Sequence, residues 1–342
     1  MKFTYADGIR EAFEYLLGRY PEVFVIGQGL WSPWYVGNTM TDLDLKFGKD
    51  RVMDTPVSEA ACTAAAIGAS LNGMRPIVIH PRIDFMILAI DPIVNQAAKW
   101  SHMLGGQAHP AVTIRGIINR GGQQGAQHSQ ALHSWFSHIP GLRLVMPYSP
   151  TDARDLLISA VLSDDPVIYL DDRWLYEETE SRSPIVERPL SKERPRVICE
   201  GKDLSLVGCG FSTHLAMSTA QKLESDYGIS AEVIDLRILN PFHRETLVAS
   251  VQKTGRLAVI DGGWKTCGLS AEVISSVGEN LDPVLWKSKP LRITLPDAPA
   301  PTSKPLEEIY YPTTESIVSK IHREFFLTRK IERDGLHAEA TY

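Results

Sequence analysis

The stretch from Asp54 to Gly73, DTPVSEAACTAAAIGASLNG, constrains the fold more than any other. Ahead of it RVMDT reads as a short strand, which Pro56 cannot continue because proline has no N–H to give to a ladder. After it AACTAAAIGASLN is alanine-rich and apolar on nearly all sides, the pattern of a buried helix. Gly73 and Pro76 supply the stop. Ser58 takes the N-cap position, so Glu59 falls in the first helical turn, at a strand-to-helix junction. A carboxylate there gains roughly 0.3–1 kcal/mol from the helix dipole, which explains it as an ordinary first-turn acid. The same position, at the carboxyl end of a buried strand, also faces a ligand crevice if the sheet is parallel. From spacing alone both readings stand.

The rest of the chain repeats the strand-then-helix unit. An amphipathic helix ending near Gly18 precedes the strand VFVIG, and an aromatic, Gly-rich loop (WSPWYVGNTMTDLDLKFGKD) leads to the central strand. RPIVIH, AVTIRG, LRLVMP and PVIYLD read as further strands. The helical spacing of FMILAIDPIVNQAAKWSHML breaks near Pro92, and SPTDARDLLISAVL carries its own N-cap. From about Ser181 to Lys202 the composition turns to charge and proline, as in a linker. The alternation then resumes with LSLVGCG, HLAMSTAQKLESDYG, SAEVIDLR, RETLVASVQKTG and RLAVIDGG. The expected class is α/β with two doubly wound domains, at 1–182 and 203–328, a linker at 183–202 and a loosely ordered tail at 329–342.

Composition excludes several classes. A net charge of −6 without a basic block argues against a nucleic-acid surface. No apolar run reaches the length of a membrane span, and the N-terminus carries acids where a signal peptide would be apolar. The scattered cysteines Cys62, Cys199, Cys209 and Cys267 suit a reduced, cytoplasmic protein. Gly208-Cys209-Gly210 after a strand lacks the third glycine of a dinucleotide fingerprint, so a tight turn explains it as well. His128, His133 and His138 are five apart and cannot share a helix face, and with His102 and His109 they make a poor metal site. His128 differs in following a strand within a glycine-rich loop, where reactive groups are often presented. Phe85 reads as a core aromatic.

Taken together, the runs DTPVSEAA, NGMRPIV, AIDPIVNQAAKW, GAQHSQALHSWFSHIPGLRLVMP, DLRILNPFHRETLVASVQKTGRL and PDAPAPTSKPLEE resemble, in order and over nearly the whole chain, the β subunit of the thiamine-dependent decarboxylating component of 2-oxo acid dehydrogenase complexes. The resemblance implies a transketolase-like pyrimidine-binding domain followed by a transketolase C-terminal-like domain. It implies that Glu59 hydrogen-bonds the aminopyrimidine ring nitrogen of thiamine diphosphate, favouring the imino tautomer whose nitrogen can take the thiazolium proton. Phe85 matches the aromatic packed on that ring, and His128 the histidine beside the 2-oxo acid. Gln28, Val57 and Pro81 fall among the implied cofactor contacts.

The chain has no GDG with a following Asn, the superfamily pattern that holds Mg²⁺ and the diphosphate. The resemblance therefore implies half an enzyme, completed in an α2β2 heterotetramer by an α subunit that binds the Mg²⁺, with a β–β dimer and a lipoyl acyltransferase core as further partners. Many members hold a structural K⁺ through carbonyls matching Val112 and Ala160 to Asp165; here Ser163 replaces a common acid. Gln28 replaces a usual glutamate, which should alter proton traffic near the cofactor. IHPRIDFMIL departs from a run more often like EFMTFNFSMQ, so Pro81, Arg82 and Leu88 change the presumed pocket wall. Arg82 either meets an anionic group such as a phosphate or carboxylate, or it points to solvent or pairs with Asp84. These departures keep two rivals open: a split transketolase-like enzyme serving a sugar or aldehyde acceptor, and a non-catalytic scaffold.

Overall fold

The computed structural model describes residues 2–327; the tail at 329–342 lies outside them. The chain forms two compact units. One comprises the chain up to Arg194 with Arg237–His243 and Pro299–Lys304; the other takes Pro195–Leu236, Arg244–Ala298 and the described residues from Pro305.

The first unit opens with β1 (Phe3–Thr4) and α1 (Tyr5–Arg19), where Thr4 and Asp7 form a capping box. The apolar face of α1, including Ile9, Phe13, Leu16 and Leu17, is buried; each such side chain stabilises the fold by about 1.5–3 kcal/mol. Then come β2 (Val23–Gly27), α2 (Leu43–Phe47), β3 (Val52–Asp54), α3 (Glu59–Ser70) and β4 (Arg75–His80). Past β4 the chain turns through Ile83–Met86 and a π-helical stretch, Pro92–Ala97, so the expected break near Pro92 is present. Next are β5 (Thr113–Ile118), β6 (Arg143–Val145), a helix at Pro150–Val161 capped by Ser149, β7 (Val167–Asp172) and β8 (Thr179–Glu180). β1 and β8 pair with each other as a small separate sheet.

The second unit contains β9 (Arg196–Cys199), β10 (Leu204–Gly208), β11 (Ala231–Asp235), β13 (Leu257–Trp264) and β14 (Leu291–Leu295); the chain leaves it after β11 to form β12 (Ile238–Asn240) in the first. Its sheet runs β14-β13-β10-β11-β9, parallel except for β9. Leu204, Leu206, Val233 and Ile260 meet Ala216, Leu223, Ile317 and Ile321 in its core. β9 lies inside the stretch expected to be linker, where charges and prolines hide its alternation. β12 joins the first unit because it pairs antiparallel with β6 and because Arg237 reaches back to Asp152 (2.8 and 2.9 Å) and Glu193 (2.8 Å).

The larger sheet runs β12-β6-β7-β5-β4-β2-β3 and is parallel except for β12. From β2 the chain moves to β3 on one side, then to β4 on the other. Strand order reverses there, and in such sheets a crevice opens at the carboxyl ends of the strands. One expectation fails: α3 is not buried all round. Thr63, Ala66, Ile67 and Ser70 are buried, whereas Ala60, Ala61, Ala64, Ala65 and Gly68 are exposed. A helix laid on a sheet covers only one of its faces, and alanine methyls lose little by facing water. Among the described residues no helix is long and apolar enough to cross a membrane.

Candidate functional site

Four loops meet the carboxyl edge of the larger sheet where its order reverses. β2 delivers Gln28, β3 delivers Val57 and Glu59, β4 delivers Pro81, Arg82 and Phe85, and β5 delivers the loop with His128. The edge is closely packed: a β-carbon on Gly27 would lie 2.4 Å from the Ile79 carbonyl oxygen. Gly29 has φ +69, and a side chain there would strike the Tyr35 ring.

Glu59 begins α3 directly after Ser58, whose side chain makes no cap hydrogen bond. The helix dipole thus faces Glu59 without a competing cap. Glu59 is half-buried and has no hydrogen-bond or ion-pair partner among the described residues. It lines a slot of about 10 Å³ with Gly27, Gln28, Thr55, Cys62 and His80, room for about one water. A wider cavity of about 420 Å³ shares Gln28, Thr55 and Pro56 with the slot and adds Trp31, Tyr35, Asp54 and Val57. Gln28 Nε2 donates to the Tyr35 hydroxyl (3.0 Å), and the Gly29 N–H donates to Asp54 (2.6 Å).

Phe85 and His128 form a second cluster. Their rings meet edge to face, 5.3 Å between centroids. Arg82 Nη1 donates to the His128 carbonyl (3.3 Å), and burial, followed by the nearby Arg173, holds its guanidinium below the usual range. Asp84 instead accepts the main-chain N–H of Gln130 (3.1 Å) and its side-chain amide (3.0 Å). Burial pushes its carboxyl above the ordinary range, and its second oxygen is buried without a partner. Arg82 therefore clamps the His128 loop rather than pairing with Asp84. Neither cavity is lined by Phe85, His128 or Leu88, and Leu88 is exposed.

Sequence reasoning misses His80, Tyr35 and Asp54. For His80 a signal exists: a titratable residue closing an otherwise apolar strand immediately before a proline. It is buried, its Nε2 lies 3.2 Å from Thr63 Oγ1, and desolvation lowers its pKa to about 4. In the region matched to a K⁺ site, Arg75 Nη1 donates to the carbonyls of Val161 (3.1 Å) and Ser163 (2.9 Å), and the Val112 carbonyl accepts the Val167 N–H. Among the described residues no group of three or more His, Cys, Asp and Glu side chains is placed to hold a metal ion.

The family profile described as "Transketolase, pyrimidine binding domain" matches residues 1–178, and "Transketolase, C-terminal domain" matches 194–317. The acetoin:2,6-dichlorophenolindophenol oxidoreductase subunit beta of Cupriavidus necator is 36% identical, over 98% of this chain and 99% of its own. The pyruvate dehydrogenase E1 component subunit beta-1 of Arabidopsis thaliana is 35% identical over 96% and 91%. The E1 subunit beta of Rickettsia bellii is 34% identical over 96% and 100%. A solved structure titled "Split gene transketolase, inactive beta4 tetramer" superposes with a TM-score of 0.76 at 22% identity, over 96% of this chain and 99% of that one.

Proposed function

Because the chain belongs to the family of thiamine-dependent β subunits that join a transketolase pyrimidine-binding domain to a transketolase C-terminal domain, we propose that it is the β subunit of a heteromeric enzyme that decarboxylates a 2-oxo acid and passes the acyl group to a lipoyl carrier. One observation carries this reading. At the reversal of strand order, a half-buried carboxyl that no other described residue satisfies sits among loops that also present Phe85 and His128.

The donor set fits the pyrimidine end of thiamine diphosphate. A carboxyl able to hold a proton at a ring nitrogen and an aromatic face able to pack on the ring are both present. It does not fit the diphosphate end, for which the described residues offer no cluster of hard oxygen ligands. The Mg²⁺ and diphosphate are accordingly assigned to the α subunit of an α2β2 assembly.

When bound, the cofactor supplies a carbon nucleophile that can accept the electron pair released as CO₂ leaves. Glu59 holds its proton at the aminopyrimidine ring nitrogen and so biases the tautomer. Phe85 excludes water from the ring face, and His128 orients the carboxylate of the 2-oxo acid. Gln28, in place of a carboxylate, gives this edge an amide bound to Tyr35, which exchanges no proton. The exposed small-residue face of α3, with Leu88, Ile90 and Met103, provides apolar surface for pairing with a second β subunit. None of the four cysteines forms a disulfide, which suits a reducing compartment such as the cytoplasm.

The Gln28–Tyr35 pair favours a second reading, a split enzyme that transfers a ketol or acyl unit to a sugar or aldehyde. Calorimetric titration of thiamine diphosphate with Mg²⁺ tests the shared-site half of both readings: binding is expected for the chain copurified with its α partner and not for the chain alone. Tight binding by the chain alone overturns it. Reductive acylation of a lipoyl domain then separates the first reading from the second.

A further inference from the structure

His80 closes β4 in the slot that Glu59 lines, and it is 2 % exposed. β4 is held in the sheet from both sides, Ile79 opposite Gly27 and His80 opposite Gly116, so the strand end is a fixed platform. From it the imidazole Nε2 meets Thr63 Oγ1 at 3.2 Å. Thr63 is buried and lies one helical turn after Glu59, on the same face of α3. Besides the His80–Thr63 bond, the start of the helix is tied by Cys62 Sγ, which donates to Thr55 Oγ1 at 3.4 Å. Ser58 gives no side-chain cap, and Ala60, Ala61, Ala64 and Ala65 face outward.

We propose that His80 is a positioning residue for Glu59: its bond to Thr63 pins the first turns of α3 to the end of β4 and so fixes the Glu59 carboxyl in the slot. The proposal rests on the role given above to Glu59. Burial keeps the imidazole neutral at physiological pH, so it bonds Thr63 without bringing a cation beside that carboxyl. An apolar residue at position 80 would pack, yet it would strand the Thr63 hydroxyl and let the helix start drift. A displacement near 1 Å can cost on the order of 100-fold in rate.

The test uses the two-subunit complex saturated with thiamine diphosphate and Mg²⁺. His80→Phe and Thr63→Val should each lower kcat at least about tenfold and weaken the near-ultraviolet circular-dichroism band of the cofactor's imino tautomer, with KM for the 2-oxo acid within about twofold. Thr63→Ser, which keeps the hydroxyl, should retain both signals. The double variant should be no worse than either single one, because both remove the same bond. The milder His80→Leu, which has no polar atom to offer Thr63, keeps the measurement possible if His80→Phe does not fold. Unchanged kcat and tautomer band in His80→Leu and Thr63→Val, or additive losses in the double variant, overturn the proposal. Glu59→Gln runs alongside: if it keeps full activity, the role of Glu59 falls; if it is inactive while the other variants are normal, only the role of His80 falls.

Discussion

Phe85 and His128 stand edge to face, ring centroids 5.3 Å apart and planes at 84°, although 42 positions separate them in the sequence (128 − 85 − 1). They arrive from the carboxyl ends of neighbouring strands, β4 and β5, and Arg82 ties the two loops through the His128 carbonyl. The pairing divides the work between the rings. On the roles proposed above, Phe85 would offer apolar surface and His128 the nitrogens of its imidazole.

These two roles separate kinetically. On the role proposed for it, Phe85→Ala removes packing on the cofactor, and such an aromatic contact is worth about 0.5–1.5 kcal/mol. It should weaken thiamine diphosphate binding by the complex roughly two- to tenfold, with a smaller change in kcat. His128→Ala should lower kcat on the order of 10²–10⁴ while cofactor affinity stays within about threefold. Titration calorimetry and steady-state kinetics on the same preparations decide the matter. A His128 variant that loses cofactor affinity and keeps kcat would reverse the assignment.

Glu59→Gln separates catalysis from folding. The carboxyl has no partner among the described residues, so its replacement breaks no bond with them, and the helix dipole contributes only about 0.3–1 kcal/mol. Unfolding stability should therefore fall by no more than about 1 kcal/mol, while kcat falls on the order of 10²–10⁴. Urea unfolding beside a turnover assay is the measurement. A large stability loss would mean that the carboxyl serves the fold.

What can be read from the sequence follows from the range of the forces involved. The strands β2, β4, β5, β7, β10, β11 and β13 are mostly apolar runs buried on both sides, so burial writes them directly into the residue pattern. β12 and β9 are edge strands of three and four residues, set by pairing to strands distant in the chain, and local pattern does not carry that information. At the site, the strand-to-helix pattern places Glu59 in the first turn of α3, but an ordinary first-turn acid fits that pattern as well. Phe85 and His128 need the family resemblance, since an aromatic or a loop histidine alone fits many surroundings. His80 escapes because its meaning lies in the Thr63 hydroxyl seventeen positions away (80 − 63). The exposed face of α3 escapes for a related reason: apolar composition tells that a surface wants cover, not whether its own chain supplies it.

His80 also makes acid stability specific. Its pKa is lowered from 6.5 to about 4 in the fold, so the unfolded chain takes up the proton first as pH falls. A depressed folded-state value means the contribution is complete above 6.5 and is lost as pH drops towards and through about 4. At 1.36 kcal/mol per unit the whole effect is about 3 kcal/mol, with about 2 kcal/mol gone by pH 5. Urea unfolding at pH 7 and pH 5 should show this loss in the parent and a correspondingly flatter response in His80→Gln. Equal responses would show that another group sets the acid sensitivity.

The aromatic loop rests on a buried ion pair. Arg115 is fully buried in β5, its guanidinium bidentate on Asp171 of β7 at 2.8 and 2.9 Å. Two further donors go to Thr39 Oγ1 (3.0 Å) and the Tyr176 hydroxyl (2.9 Å), so the ion pair also anchors the loop that carries Trp31 and Tyr35. Removing one member leaves a buried charge uncompensated, which costs about 3–5 kcal/mol, whereas replacing both with apolar residues of similar volume is often close to neutral. Asp171→Leu should thus destabilise the chain far more than the double variant Arg115→Met/Asp171→Leu. In the double variant Thr39 loses its anchor even though the core is restored, so chymotrypsin should cut near Trp34 and Tyr35 faster than in the parent while the unfolding midpoint stays near the parent value. A double variant as unstable as the single one would show that the site needs the ion pair itself, and an unchanged cleavage rate would show that the loop is held without Thr39.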